Sequence, residues 1–272
     1  MGALESWRDH LASWAIPEPV LAAAPESPWA LPRGLFTRRT DQLVADPSGP
    51  SFEQAAEALA VPGSVIDVGA GAGAASLPLA GRLTEVTAVD TDEEMLAAFA
   101  ERAGRVGVPV RLVTGRWPEV AASVPPADVV VCSYVLYNVP DLGPFATALT
   151  GHARRRVVVE ITERHPLTPL NPLWRRLHGI ERPDRPTAAD AVAALREAGI
   201  NPRVIRWDRP ADPEYRTFDE LVASTRRRLC LPEEASGQVR AALLDLGVDP
   251  VQPRGLGPAR RELVTLSWDG TG

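Results

Sequence analysis

The sequence lacks lysine altogether, so all 29 of its lysine-plus-arginine residues are arginine. It also lacks an apolar run of roughly 18 residues, the length that a membrane-spanning helix needs. Its charged N-terminal residues are not followed by the apolar segment of a secretory signal. From these absences we expect no membrane span, no secretory signal and a cytoplasmic location. We attribute the lack of lysine to genome composition and assign no function to it.

Cysteine and histidine are also scarce. The two cysteines, Cys132 and Cys230, have no metal-ligand spacing, and the four histidines form no paired Cys/His motif, so we expect no metal site. Reduced cysteines fit a cytoplasmic location. The net charge of −6 argues against nucleic acid as the main partner, since nucleic-acid-binding domains usually carry a basic excess.

The chain has 272 residues, 45% of them apolar, which suffices for one large domain with elaborations. Residues 1–50 are rich in Pro and Trp and are expected to form a helical extension. Residues 51–272 are expected to form the main domain, with a Pro-rich insertion over 163–186 and a helical insertion over 209–261. We expect residues 1–50 and 163–186 to act together as a lid. The oligomeric state stays open, a homodimer included.

Short apolar runs alternate with helical segments between Ser64 and Thr162. Continuous apolar strands bounded by helices predict a parallel sheet that is covered on both faces. An apolar helix is expected over Ala72–Arg82. The expected strands are Val65–Val68, Val86–Asp90, Val110–Thr114, Asp128–Cys132, Arg156–Ile161, Arg203–Trp207 and Glu262–Trp268.

A glycine-rich turn follows the first expected strand, with glycines at Gly69, Gly71 and Gly73. Glycines between a strand and a helix let the backbone approach a ligand closely and direct free N–H groups towards it. The loop alone does not exclude a nicotinamide-dependent oxidoreductase, because Ala74 completes a GxGxxA dinucleotide pattern.

Three strand-end features favour a different ligand. Asp67 lies two residues before the first glycine, where a carboxylate would repel a pyrophosphate but suits the ammonium of a methionine moiety. Asp90 ends the second strand, where it can accept hydrogen bonds from two ribose hydroxyls. The segment Thr114–Trp117 ends the third strand, where a polar group and an apolar side chain can frame an adenine.

The segments Val65–Gly73, Val89–Asp90 and Gly115–Trp117 resemble the first three motifs of class I S-adenosylmethionine-dependent methyltransferases. Asp128–Ser133 and Arg156–Glu160 resemble that family's fourth-strand and fifth-strand motifs. The resemblance implies an α/β, Rossmann-like seven-stranded sheet of order 3-2-1-4-5-7-6, with an antiparallel last strand. The overall pattern is also similar to uncharacterised actinobacterial methyltransferase-domain proteins.

The same resemblance implies S-adenosyl-L-methionine as the cofactor and S-adenosyl-L-homocysteine as the product. Carried onto this sequence, the cofactor-binding residues are Asp67, Gly69, Ala70, Gly71, Gly73, Asp90, Thr91, Gly115, Arg116, Trp117, Cys132 and Ser133.

The methyl acceptor is expected beside the segment that follows the fourth strand, because ligands of open α/β sheets bind beyond the carboxyl ends of the strands. Tyr134, Tyr137, Asn138 and His165 are the candidate substrate-binding residues. Tyr134, Tyr137 and His165 are also the candidate catalytic residues, and His165 is the candidate base for an acceptor that must lose a proton. The alternative for the tyrosines is packing beneath the extension.

The leading hypothesis is methylation of a small molecule at oxygen, nitrogen or carbon. The segment after the fourth strand lacks the Asn/Asp-Pro-Pro-Tyr/Phe signature of enzymes that methylate planar amino groups. One alternative is an RNA or protein methyltransferase that uses Arg226–Arg228, although such a run is usually a solvated helix face. Others are a non-catalytic S-adenosylmethionine-binding protein and the oxidoreductase.

Overall fold

A seven-stranded sheet forms the centre of the computed structural model, which describes residues 2–29, 33–210, 215–253 and 255–271. The strand order is β3-β2-β1-β4-β5-β7-β6, and β7 runs antiparallel to both β5 and β6. The predicted topology is therefore confirmed. The strands are Gly63–Val68 (β1), Leu83–Asp90 (β2), Val110–Thr114 (β3), Ala127–Ser133 (β4), Ala153–Thr162 (β5), Arg203–Pro210 (β6) and Arg260–Asp269 (β7).

Ten α-helices surround the sheet in the described ranges. They are Ala3–Ala12 (α1), Glu18–Ala22 (α2), Arg33–Ala45 (α3), Pro50–Ala58 (α4), Glu93–Arg105 (α5), Leu142–His152 (α6), Asn171–His178 (α7), Ala188–Glu197 (α8), Phe218–Arg228 (α9) and Ser236–Asp245 (α10). No helix in these ranges has the length and apolar character that crossing a bilayer requires.

The two faces of the sheet are covered because the apolar runs of β1 and β4 point side chains to both sides. Ile66 and Val130 face a core that α1, α6 and α8 complete. Their neighbours Val65 and Val129 face the opposite core, which α4 and α5 complete.

The predicted helix over Ala72–Arg82 is wrong. Residues 71–76 form turns, and only Leu77–Arg82 is helical, as a 3₁₀-helix. Gly73 has φ +97°, outside the helical range. Pro78 lacks the N–H of an α-helical hydrogen bond and disfavours the α conformation at Leu77.

A third apolar cluster joins the two insertions. Leu173 and Trp174 of α7 pack with Leu221 of α9 and Leu243 of α10. Ile16 and Val20 of the N-terminal extension pack against this cluster, while Trp7 of α1 is buried in the first core. Val44 of α3 packs against the second core. The described residues of the extension therefore form no core of their own and contact all three apolar clusters.

We expect Trp7→Ala to lower the free energy of unfolding by about 3–5 kcal/mol, the range for large-to-small core substitutions. Trp7 is 0% exposed and its indole Nε1 donates a 2.8 Å hydrogen bond to the carbonyl of Val139. Trp29→Ala is the matched control, since Trp29 is 57% exposed and its loss should change stability little. Urea unfolding measures both, and equal losses would contradict the packing described here.

Candidate active site

A cleft of about 2690 Å³ lies at the carboxyl ends of the parallel strands β1 to β5. Such clefts are where open α/β sheets bind their ligands. The N-terminal extension and the segments that follow β5 and β6 complete its walls. The predicted site residues that line it are Gly69, Ala70, Gly71, Asp90, Thr91, Gly115, Arg116, Trp117, Ser133, Tyr134, Tyr137, Asn138 and His165.

The glycine loop needs its glycines for two reasons, conformation and space. Gly69 and Gly73 have φ +69° and +97°, values that side chains disfavour. A Cβ on Gly69 would lie 2.3 Å from Cγ2 of Val135, and one on Gly73 would lie 2.5 Å from Cδ1 of Leu77. The loop therefore packs tightly against the segment after β4 and keeps its backbone at the cleft surface.

Asp90 connects the glycine loop to the start of α5. Its Oδ2 accepts a 2.8 Å hydrogen bond from the Gly71 N–H, and its Oδ1 accepts a 3.0 Å bond from the Asp92 N–H. Asp92 in turn caps α5 by accepting from Glu94 and Met95. Each oxygen of a carboxylate has two lone pairs, so Asp90 keeps acceptor capacity for hydroxyl groups of a ligand.

Asp67, Gly73 and Cys132 lie beneath the cleft surface rather than on it. Asp67 is buried behind the loop, where its Oδ2 accepts a 2.6 Å hydrogen bond from the Ser76 hydroxyl. Burial raises the pKa of Asp67 to about 7, although the Ser76 hydrogen bond opposes the shift. Cys132 points into the first core, and burial raises the pKa of its thiol.

The end of β3 forms one side of the cleft. Gly115 has φ +154°, and a Cβ there would lie 2.2 Å from Cγ1 of Val120. Arg116 is exposed, whereas the Trp117 ring is buried with its edge against His152 at 4.8 Å between centroids. Within the described residues, the Trp117 indole Nε1 has no hydrogen-bond partner.

The two tyrosines of the segment after β4 have different surroundings. Tyr134 has φ +62°, and the Arg39 guanidinium lies 4.1 Å above the centre of its ring. Burial raises the Tyr134 pKa. Tyr137 is buried, its hydroxyl donates a 2.8 Å hydrogen bond to the Thr162 carbonyl, and burial raises its pKa as well. The Tyr137 hydroxyl is therefore engaged in a hydrogen bond within the protein.

His165 is buried between aromatic rings. Its imidazole stacks on Trp14 at 3.8 Å and meets the Tyr137 ring edge-on at 5.1 Å. Nδ1 accepts a 3.2 Å hydrogen bond from the Leu167 N–H, which leaves Nε2 with the proton of the neutral ring. Burial, with a contribution from Arg182, lowers the His165 pKa to about 3. In this geometry His165 is a neutral hydrogen-bond donor.

Two cleft residues, Glu160 and Arg39, were not predicted from the sequence. Glu160, at the end of β5, forms a largely buried ion pair with Arg39 of α3, 3.5 Å apart. Glu160 was visible only as part of a strand motif, and nothing in the N-terminal sequence distinguishes Arg39 from the other arginines. The pair attaches α3 to the β5 side of the cleft.

The sequence over residues 65–155 matches the family model of a methyltransferase domain. A sequence search among curated proteins gives no match. The resemblance to class I methyltransferases drawn from the motifs is thereby confirmed, and the chain has the fold and the family-model match of a methyltransferase enzyme.

Solved structures share this fold. A putative sarcosine dimethylglycine methyltransferase from Galdieria sulphuraria is 12% identical, with 96% of this chain and 98% of that chain covered and a TM-score of 0.52. The YcgJ protein from Bacillus subtilis is 18% identical, with 80% and 99% covered and a TM-score of 0.50. At these identities the likeness concerns the fold.

Asp67 should make stability depend on pH near neutrality. Since its pKa is raised in the folded state, the stabilising contribution is full below pH about 4 and is lost as the pH rises to about 7. We expect the unfolding free energy of Asp67→Asn, relative to the unmodified chain, to increase by at least about 2 kcal/mol over this interval and then to level off. Denaturant unfolding at pH 4 to 8 without added ligand measures it.

The matched control is Asp208→Asn. The hydrogen bond from Arg260 lowers the Asp208 pKa, so its stabilising contribution is lost as the pH falls. The effect of this control substitution should therefore change below pH about 4. A pH-independent difference for Asp67→Asn would contradict a raised Asp67 pKa.

Proposed function

We propose that this chain binds S-adenosylmethionine at the glycine loop and transfers its methyl group to a small-molecule acceptor, releasing S-adenosylhomocysteine. The observation that best supports this proposal is the pair of carboxyl groups at the loop. Asp67 is buried behind the loop, and Asp90 accepts a hydrogen bond from the Gly71 N–H of the loop. Within the described residues neither forms an ion pair, and Asp67 has only the Ser76 hydroxyl as a side-chain partner.

Two carboxylates at one loop select between the ligand classes that a GxGxG turn can hold. They repel a pyrophosphate, which favours a methionine moiety over a dinucleotide. A cationic ammonium group near Asp67 would favour its ionised form and offset the cost of its burial. We assign the ribose hydroxyls to Asp90 and the adenine to the Arg116–Trp117 side of the cleft, where Trp117 presents an apolar ring.

Bound S-adenosylmethionine would supply an electrophilic methyl group, so the protein's own task is to align the acceptor. We assign this task to Ser133, Tyr134 and Asn138, which line the cleft after β4. His165, with Nδ1 accepting from backbone and Nε2 protonated, is assigned to acceptor binding as a hydrogen-bond donor. This role replaces the base expected from the sequence.

The pairing of Arg226 and Arg227 with Glu26 favours a small molecule over RNA as the methyl acceptor. Arg226 is buried and binds Glu26 at 2.8 Å, while Arg227 binds the same carboxylate at 3.0 Å. Two of the three arginines are therefore partly neutralised inside the protein. They do not form the exposed basic face that phosphate backbones bind.

The contacts of Trp14 support a lid formed by residues 1–50 and 163–186. Trp14 stacks on His165, and its Nε1 donates a 2.5 Å hydrogen bond to the Arg185 carbonyl. The Arg182 guanidinium lies 5.0 Å from the Trp174 ring centre and donates to the carbonyls of Trp14 and Ala15. We propose that these two segments close over the acceptor together.

The cofactor is tested by titration calorimetry with S-adenosylmethionine, S-adenosylhomocysteine and NAD. We expect binding of the first two, and Asp90→Ala should weaken it by about 1–3 kcal/mol, the value of a hydrogen bond to a charged group. Asp219→Ala is the control, because Asp219 is exposed and pairs with Arg240 outside the cleft. Binding of NAD without S-adenosylmethionine would refute the proposal.

The lid is tested by amide hydrogen exchange with and without S-adenosylhomocysteine. We expect the ligand to slow exchange about tenfold in residues 11–29 and 163–186 together, because a closed lid opens less often. Trp14→Ala should abolish the slowing in residues 163–186 but leave that of residues 69–73. Slowing confined to the glycine loop in the unmodified chain would show that these segments are no lid.

A further inference from the structure

Arg228, the last residue of α9, lies where the cleft meets a small apolar niche. Its side chain is only partly exposed, and burial lowers the pKa of its guanidinium. The carbonyl end of a helix favours a cation nearby. That preference is satisfied equally by an exposed arginine, so it does not account for the burial.

Arg228 differs from its two neighbours in having no partner among the described residues. Arg226 and Arg227 both bind Glu26, whereas Arg228 forms no ion pair and no hydrogen bond with any described residue. Partial burial of a guanidinium without a counter-charge costs free energy. An anion of a ligand at this position would remove that cost.

The niche beside Arg228 indicates what the rest of the ligand is made of. Its walls are mainly apolar and aromatic, with Trp14, Trp29, Leu170 and Trp174 among them. Arg182 is its other charged side chain, and no described acidic residue lines it. The niche holds no more than a water molecule, at about 10 Å³, so a ligand of Arg228 lies in the adjoining cleft, which Trp14, Trp29 and Leu170 also line. Planar apolar groups pack favourably on such rings.

Together these observations identify a substrate class. We propose that the methyl acceptor is an apolar, aromatic-type small molecule that carries an anionic group, and that Arg228 binds this group. The inference rests on the proposed function for the identity of the ligand as the acceptor, whereas the binding preference is a property of Arg228 and of the cleft wall beside it.

The proposal is tested with two fluorescent dyes that differ by one anionic group. 8-Anilinonaphthalene-1-sulfonate carries a sulfonate, and N-phenyl-1-naphthylamine is the same scaffold without it. The full chain, saturated with S-adenosylhomocysteine, should bind the anionic dye at least about tenfold more tightly, since hydrogen bonds to charged groups are strong. Arg228→Met should remove this preference by weakening the anionic dye alone.

Arg176→Gln is the matched control, because Arg176 is an exposed arginine of α7 that pairs with Asp245 outside the cleft and the niche. It should leave both affinities unchanged, and thermal unfolding of each variant verifies folding. Equal affinity for the two dyes, binding of neither, or equal weakening of both by Arg228→Met would overturn the proposal.

Calorimetry with S-adenosylhomocysteine alone separates the two proposals. Binding of that ligand together with an unchanged dye preference in Arg228→Met refutes only the role of Arg228. Absence of binding refutes the proposed function, and the dye comparison repeated on the ligand-free chain then still decides whether Arg228 binds the anion.

Discussion

The hydrogen bond from the Gly71 N–H to the Asp90 carboxylate is the interaction on which the site depends. It joins the end of β1 to the end of β2, and the second carboxylate oxygen holds the start of α5 through Asp92. Behind the glycine loop, the buried Asp67 carboxyl accepts a hydrogen bond from the Ser76 hydroxyl. The loop is thus shaped by two carboxyl groups, and a cationic ligand would favour the ionised form of both.

The acceptor side is organised by positive charge and aromatic rings. Arg39 of α3 pairs with Glu160, Arg182 lies beside Trp14 and Trp174, and Arg228 lacks a described partner. Because the chain contains no lysine, each of these contacts uses the planar guanidinium, which stacks on rings as well as pairing with carboxylates. Carboxyl groups are thus gathered at the glycine loop, whereas Arg39 and Arg228 line other parts of the cleft.

The N-terminal extension contributes to both the core and the site. Trp7 fills the first core, Ile16 and Val20 pack on the cluster of α7, α9 and α10, and Trp14 covers His165. A segment tied down at both ends can close over a cleft without a hinge inside the sheet. Packing in the first core and stacking on His165 give structural roles to Trp7 and Trp14, two of the three tryptophans in residues 1–50.

The strands and the strand-end positions of the motifs were accessible from the sequence, and the strand order followed from the family resemblance. Continuous apolar runs specify buried parallel strands, and Gly69, Gly71 and Asp90 lie at strand ends whose positions follow from those runs. The α-helix predicted over Ala72–Arg82 does not form, because the positive φ of Gly73 and the missing N–H of Pro78 outweigh the apolar pattern.

The acceptor side was decided by tertiary structure alone. Arg39 pairs with Glu160, more than a hundred residues away in the chain. The tautomer of His165 is set by the backbone N–H of Leu167. Glu26 pairs with Arg226 and Arg227 but not with Arg228. Periodicity and local spacing carry no information on such long-range pairing. The glycine loop and Asp90 were thus determined by the sequence, and the arginine chemistry that faces the acceptor by the way the chain packs.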